Sequence, residues 1–177
     1  MIGTQDDLTV LHEAMTQAIK VDMPMLKDVR AYDPTARDTV ITPAVLIEAV
    51  EMKPGGRVSG GRLPVTVEFV AHCCLSIKTP QVELEIRNFA VAVLRLINGN
   101  KWGLSEAVER PEALNAFPGM FKPDDKGFES WAVSWEQTIH VGEVWQDADF
   151  LPTEVYVGEA PNVGADNKQH YEGKTDE

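Results

Sequence analysis

This sequence is poor in cysteine, in aromatic residues and in bases, and it has no long apolar run. Its two cysteines are adjacent, Cys73 and Cys74, which is unlike a secreted disulfide framework, because neighbours in an extended strand point to opposite faces. A reducing compartment is expected. No stretch approaches the roughly 20 uncharged apolar residues of a membrane-spanning helix, and residues 1–20 carry neither a basic leader nor an apolar signal core. A cytosolic chain with no membrane partner is the expectation. Lysine and arginine number 16 against 28 acids, a formal charge of −12, the reverse of the footprint that neutralises nucleic-acid phosphates. Sequence-specific binding of DNA or RNA is therefore not expected.

What remains is ordinary globular material: 177 residues, 44% apolar and 25% charged, with 13 glycines and 11 prolines. At this length folding buries about 70% of the surface of the unfolded chain, enough for one core without disulfide or metal. The charge is uneven. Residues 143–177 hold nine acids and two lysines, a net of −7, which leaves −5 for the residues before them.

Periodicity sets the order of elements. Leu8, Leu11, Met15, Ala18 and Ile19 line one side of a helix over residues 6–20, with Thr4 as its cap, Asp6 and Asp7 in its first turn and Pro24 beyond its end. A short strand is placed around residues 29–32. Residues 39–52 are apolar in both alternation classes, as in an interior strand, and Pro43 marks its beginning. The glycine-rich stretch 53–62 then forms an extended hairpin loop. From Leu63 to Leu75 every odd position is apolar while the even ones include Thr66, Glu68 and His72, a half-buried strand.

Thr79-Pro80 reads as the N-cap and first position of a second helix, closed by Asn98-Gly99 and carrying Val82, Ile86, Phe89, Ala90, Val93, Leu94 and Ile97 as its apolar stripe. Weak strands follow at residues 106–110 and 113–116. A clear one then carries Trp131, Val133, Trp135, Ile139 and Val141, with both tryptophans beneath the second helix. A last short strand lies near residues 154–157. The order predicts a two-layer α+β fold, with a mostly antiparallel sheet flanked by two helices. It divides into one domain over residues 1–157 and an acidic, polar arm over 158–177.

Several groups invite a chemical reading. The 53–62 loop resembles a phosphate-binding loop in glycine content but lacks the Gly-Lys-Ser/Thr ending and leads into a strand. Its other readings are a hairpin tip or a contact loop using Arg57 and Arg62. His72 and Cys74 share a strand face with Glu68, yet neither a Cys-x-x-Cys pair nor a His-Glu-x-x-His helix completes a metal set. Packing explains them better. A thiol nucleophile needs an oriented histidine base, and His12, His140 and His170 fall in separate elements. That leaves no catalytic, cofactor or metal site assigned. Trp145, in the acidic stretch, is the tryptophan placed to reach a partner, and Tyr156 on the last strand joins Arg57, Arg62 and Trp145 as candidate interface residues.

Four segments carry a resemblance: Thr42-Pro43-Ala44-Val45-Leu46-Ile47-Glu48, Gly61-Arg62-Leu63, Asn98-Gly99-Asn100-Lys101-Trp102-Gly103-Leu104 and Glu129-Ser130-Trp131-Ala132-Val133-Ser134-Trp135-Glu136-Gln137. Together with the element order, over about residues 8–157, they resemble the tail terminator, or tail completion, proteins of tailed bacteriophages. The resemblance implies a small α/β protein that forms a ring, usually of six subunits. Such a ring sits on the tail tube protein, ends tube growth and meets the neck or head–tail connector, with DNA passing non-specifically through its channel. It implies assembly into the virion in the host cytoplasm, no catalytic residue and no cofactor. Head completion and head–tail connector proteins share these features and form the nearest alternative. A small ligand-binding or thiol-dependent enzyme using the His72–Cys74 face is the alternative of another class.

Overall fold

The computed structural model describes residues 8–35, 40–56, 60–119, 127–142, 155–157, 164 and 172–174. Its elements are helix α1 (Leu8–Asp22), strands β1 (Asp28–Ala31), β2 (Ala44–Pro54) and β3 (Leu63–Ser76), helix α2 (Val82–Ile97), and strands β4 (Glu112–Pro118), β5 (Phe128–Val141), β6 (Val155–Val157) and β7 (Glu172–Lys174). The fold is α+β. Two compact units partition the chain, Met1–Glu143 and Val144–Glu177. Strand β6 pairs with β7 as a separate two-stranded sheet.

In the first unit five strands run in the order β1-β2-β3-β5-β4. All neighbours are antiparallel except β1 and β2. Strands β3 and β5 pair along their whole length, from Leu63 opposite Val141 to Ser76 opposite Phe128. This long central ladder fixes which side chains share a face, since partners opposite one another point the same way.

The odd positions of β3 and their partners on β5 form the core face. Val67, Phe69, Ala71 and Cys73 pack there with Val133, Trp135 and Ile139. Both helices cover this one face: α1 through Leu11, Met15 and Ile19, α2 through Ile86, Ala90, Val93 and Ile97. That is the spacing of an amphipathic helix laid on a sheet. Phe69 stacks on Trp135, ring centroids 5.3 Å apart, and Trp131 lies partly buried at the rim with the Arg87 guanidinium 5.8 Å from its ring centre.

The start of α2 corrects the sequence reading. Thr79 is not its cap and Pro80 is not its first position: the N-cap is Gln81, held in a left-handed conformation at φ 53° without a side-chain cap. Thr79 N–H instead donates to Ser76 O, closing a turn that delays the helix by two residues. The expected end at Asn98-Gly99 is observed, with Asn98 N–H donating to Leu94 O and Gly99 at φ 76°. Pro43 precedes β2 as expected, and the two weak strands become an isolated bridge from Val108 to Ile139 and the edge strand β4. Thr4, Asp6 and Asp7 lie outside the described residues.

Candidate assembly surfaces

Strand β2 begins buried and ends exposed. Ala44, Val45, Leu46 and Ile47 are all buried, whereas every residue from Val50 to Pro54 is exposed. The change coincides with a bulge between Ala49 and Glu51, which re-aims the strand. Beyond it the β2–β3 hairpin runs out with Val50 54%, Met52 53% and Leu63 49% exposed. The basic stretch foreseen as a contact loop joins β2 to β3, and its residues 57–59 lie outside the described residues. Arg62 is half-buried just before Leu63, the first residue of β3, while Arg57 and Trp145 lie outside the described residues. Tyr156 is the central residue of β6, its backbone opposite Gly173. Of the four candidate interface residues, Arg62 alone is described with its side chain.

On the sheet face away from the helices, the register lines up four carboxylates. Glu51 lies opposite Glu68, Glu68 opposite Glu136, and Glu136 opposite Glu112. Like charges directly opposite destabilise a sheet by a few tenths to about 1 kcal/mol. Lys53 offsets part of this: its Nζ lies 2.8 Å from Glu51 Oε2, and the neighbouring Glu51 carboxylate holds the ammonium above its usual range. Glu136→Lys, in the middle of the row, is therefore expected to raise stability by about 0.5–1 kcal/mol. The gain should shrink in high salt. Thermal melts at two salt concentrations check it, and an unchanged or lower melting temperature at low salt would refute the like-charge account.

The same face holds His72 and Cys74. His72 Nε2 lies 2.9 Å from Glu48 Oε2, and its ring leans on Tyr32 with centroids 5.3 Å apart. The Cys74 thiol points to the carbonyl of His72 at 3.9 Å, and burial pushes its pKa up to about 12. Cys73 lies on the opposite, helix-covered face, where burial raises its thiol further. Both cysteines are free thiols. Burial favours the neutral thiol form of both cysteines. Among the described residues no group of three or more His, Cys, Asp or Glu side chains is placed to hold a metal ion.

The thiols make a pH prediction. Each folded pKa is raised above an ordinary value near 9. A raised acid stays protonated in the folded chain after the unfolded chain has ionised, so stability is intact below about pH 8.5 and falls as pH rises beyond it. The slope approaches about 1.4 kcal/mol per pH unit for each thiol. Denaturant titrations at pH 7 to 10 should show this fall, and Cys74→Ala should lessen it. An unchanged slope in that variant would contradict the burial of the thiol.

Sequence reasoning missed the most fully bonded polar group in the core, Gln137. Its side chain is 0% exposed. Oε1 accepts from Trp102 Nε1 at 2.8 Å and from Trp135 Nε1 at 3.2 Å, while Nε2 donates to Asn100 O at 3.0 Å and to Glu109 O at 2.8 Å. All four bonding positions of the amide are filled. Trp102 reaches this place through a left-handed residue at φ 59°, fixed by its N–H donating to Asn100 Oδ1 at 2.8 Å. The hub joins two of the segments that carried the family resemblance, residues 98–104 and 129–137. The available signal was a polar residue in an apolar register, between Trp135 and Ile139.

A shallow groove of about 670 Å³ lies where α1 and α2 meet, lined in part by Ala14, Ala18, Val21, Arg95 and Trp102. No helix among the described residues is long and apolar enough to cross a membrane. No protein-family model matches this chain, and no curated protein matches it.

Proposed function

We propose that this chain is a structural protein of a bacteriophage tail, a terminator that assembles as a ring on the tail tube, ends its polymerisation and joins the tail to the neck. The observation that carries this reading is the β2–β3 hairpin, whose strands expose Val50, Met52 and Leu63 and flank a stretch, residues 53–62, with three bases and no acid in its sequence. An arm of that kind serves assembly better than catalysis, because exposed apolar side chains on a projecting element mark a surface to be covered. The α+β architecture and the four resembling segments point the same way, and two of those segments meet at Gln137. The acidic remainder of the chain suits a channel through which DNA slides without lasting phosphate contacts.

Deleting the gene from the phage or prophage that encodes it, followed by electron microscopy of the lysate, tests the reading. Filled heads beside unjoined tails of irregular, excessive length are expected. Tails of normal length that fail to meet heads would assign the protein to the neck instead. Intact infectious particles would overturn a structural role.

A further inference from the structure

We propose that the groove between α1 and α2 docks an amphipathic helix of another protein, its apolar stripe on the groove floor, an acidic residue at Arg95 and a basic one at Asp22. The apolar face of α1 is wider than its contact with the core. Leu11, Met15 and Ile19 are its buried residues, yet Val10, Ala14 and Val21 recur at intervals of four and seven on an adjoining stripe of the same helix. Val10 is 39% exposed and Val21 71%. A stripe of this length spans about 16 Å of helix, so an occupant that covers it is elongated. Ala14 and Ala18, one turn apart in the groove lining, are small enough to let a further helix approach closely.

The groove offers such an occupant carbon at its floor and charge at its rim. The polar groups of the floor are engaged inside the protein: Trp102 Nε1 donates to Gln137 Oε1 at 2.8 Å, Asn100 Oδ1 accepts from Trp102 N–H at 2.8 Å, and Asn100 Nδ2 donates to Leu96 O at 3.4 Å. Gln17, Asp22 and Arg95 are exposed lining residues, and no side chain of these three has a hydrogen-bond or ion-pair partner among the described residues. An apolar centre within a polar, unpaired rim is the anatomy of a protein interface, and an open groove between two helices is the form that receives a third. The rim holds one charge of each sign on its two walls, Asp22 at the end of α1 and Arg95 in the last turn of α2. An occupant with the opposite charge at each point is complementary to both, and the pairing fixes the direction in which it lies. The proposal stands apart from the tail reading above.

The test uses the full-length chain, labelled with nitrogen-15, and two designed helical peptides about five turns long. Both carry a stripe of leucine and alanine. In the first, one glutamate and one lysine border the stripe on opposite sides; in the second, lysine replaces the glutamate. Titration with the first peptide should shift the amide signals of Ala14, Ala18, Val21 and Arg95. Val10→Ser combined with Val21→Ser should weaken binding at least about tenfold with the circular dichroism spectrum unchanged. Should that variant fail to fold, Arg95→Glu examines the rim: the parent chain should prefer the first peptide, and this variant the second, each by at least about threefold.

Shifts at the groove together with loss of binding in the serine variant, or with exchanged preference in Arg95→Glu, support the proposal. Binding of neither peptide, shifts confined to other surfaces, or affinities indifferent to the variants would overturn it. The same signals moving as the chain alone is concentrated would give the groove to a second copy and overturn it as well.

Discussion

Gln137→Leu is expected to cost at least about 3 kcal/mol of folding stability, although leucine is close to glutamine in size and more apolar. The substitution leaves the indole N–H groups of Trp102 and Trp135 and the carbonyls of Asn100 and Glu109 without their present partner. Each buried polar group stranded in this way costs about 1–3 kcal/mol. Burying the added apolar surface returns about 1 kcal/mol. A domain of this kind has only about 5–15 kcal/mol in total, so the variant should approach the edge of folding. Equilibrium unfolding in urea checks it, and a loss under about 1 kcal/mol would mean that water or a shifted loop replaces the amide.

Gln137→Glu separates the acceptor from the donor half of the hub. A carboxylate still accepts from both indoles but faces two carbonyl oxygens that then lack a donor. Burial and those oxygens raise its folded pKa above the ordinary value of about 4.3. The sign follows: the penalty is smallest below that value and grows as pH rises toward the folded pKa. The variant should therefore lose stability between pH 4 and 7 relative to the parent chain, with the opposite trend excluding this geometry.

How much of this was readable in the sequence depends on what kind of signal each feature leaves. Faces leave a local one. The odd positions from Leu63 to Leu75 and the stripe from Val82 to Ile97 repeat at the period of their elements, and both appear on the core face as expected. Partners leave none. Nothing in residues 28–31 says that β1 lies parallel to β2, and nothing in the separated positions of Glu51, Glu68, Glu136 and Glu112 says that they form one row. Register is set by the whole sheet.

The start of α2 fails for a related reason. Thr79-Pro80 suits a helix N-terminus, but the turn that follows β3 uses these residues first. The basic hairpin was legible as charge and glycine content. Its apolar flanks were not, because Met52 and Leu63 look like core positions in the sequence, whereas the folded chain leaves both about half exposed.

Phe69→Ala is the second large loss expected, about 3–5 kcal/mol. Phe69 is fully buried in β3, opposite Ala49 on one side and Trp135 on the other. Truncation removes its transfer free energy, leaves a cavity between two strands held apart by their ladders, and strips Trp135 of its stacked neighbour. Phe69→Leu refills most of that space and should cost less than half as much. Because Trp135 touches both Phe69 and Gln137, the two substitutions share a neighbour and their costs should not add. A double-mutant cycle pairing Phe69→Leu with a mild hub variant, Trp102→Phe, measures that coupling as a departure from additivity of at least about 0.5 kcal/mol. Additive costs would show that the aromatic row and the amide hub are independent.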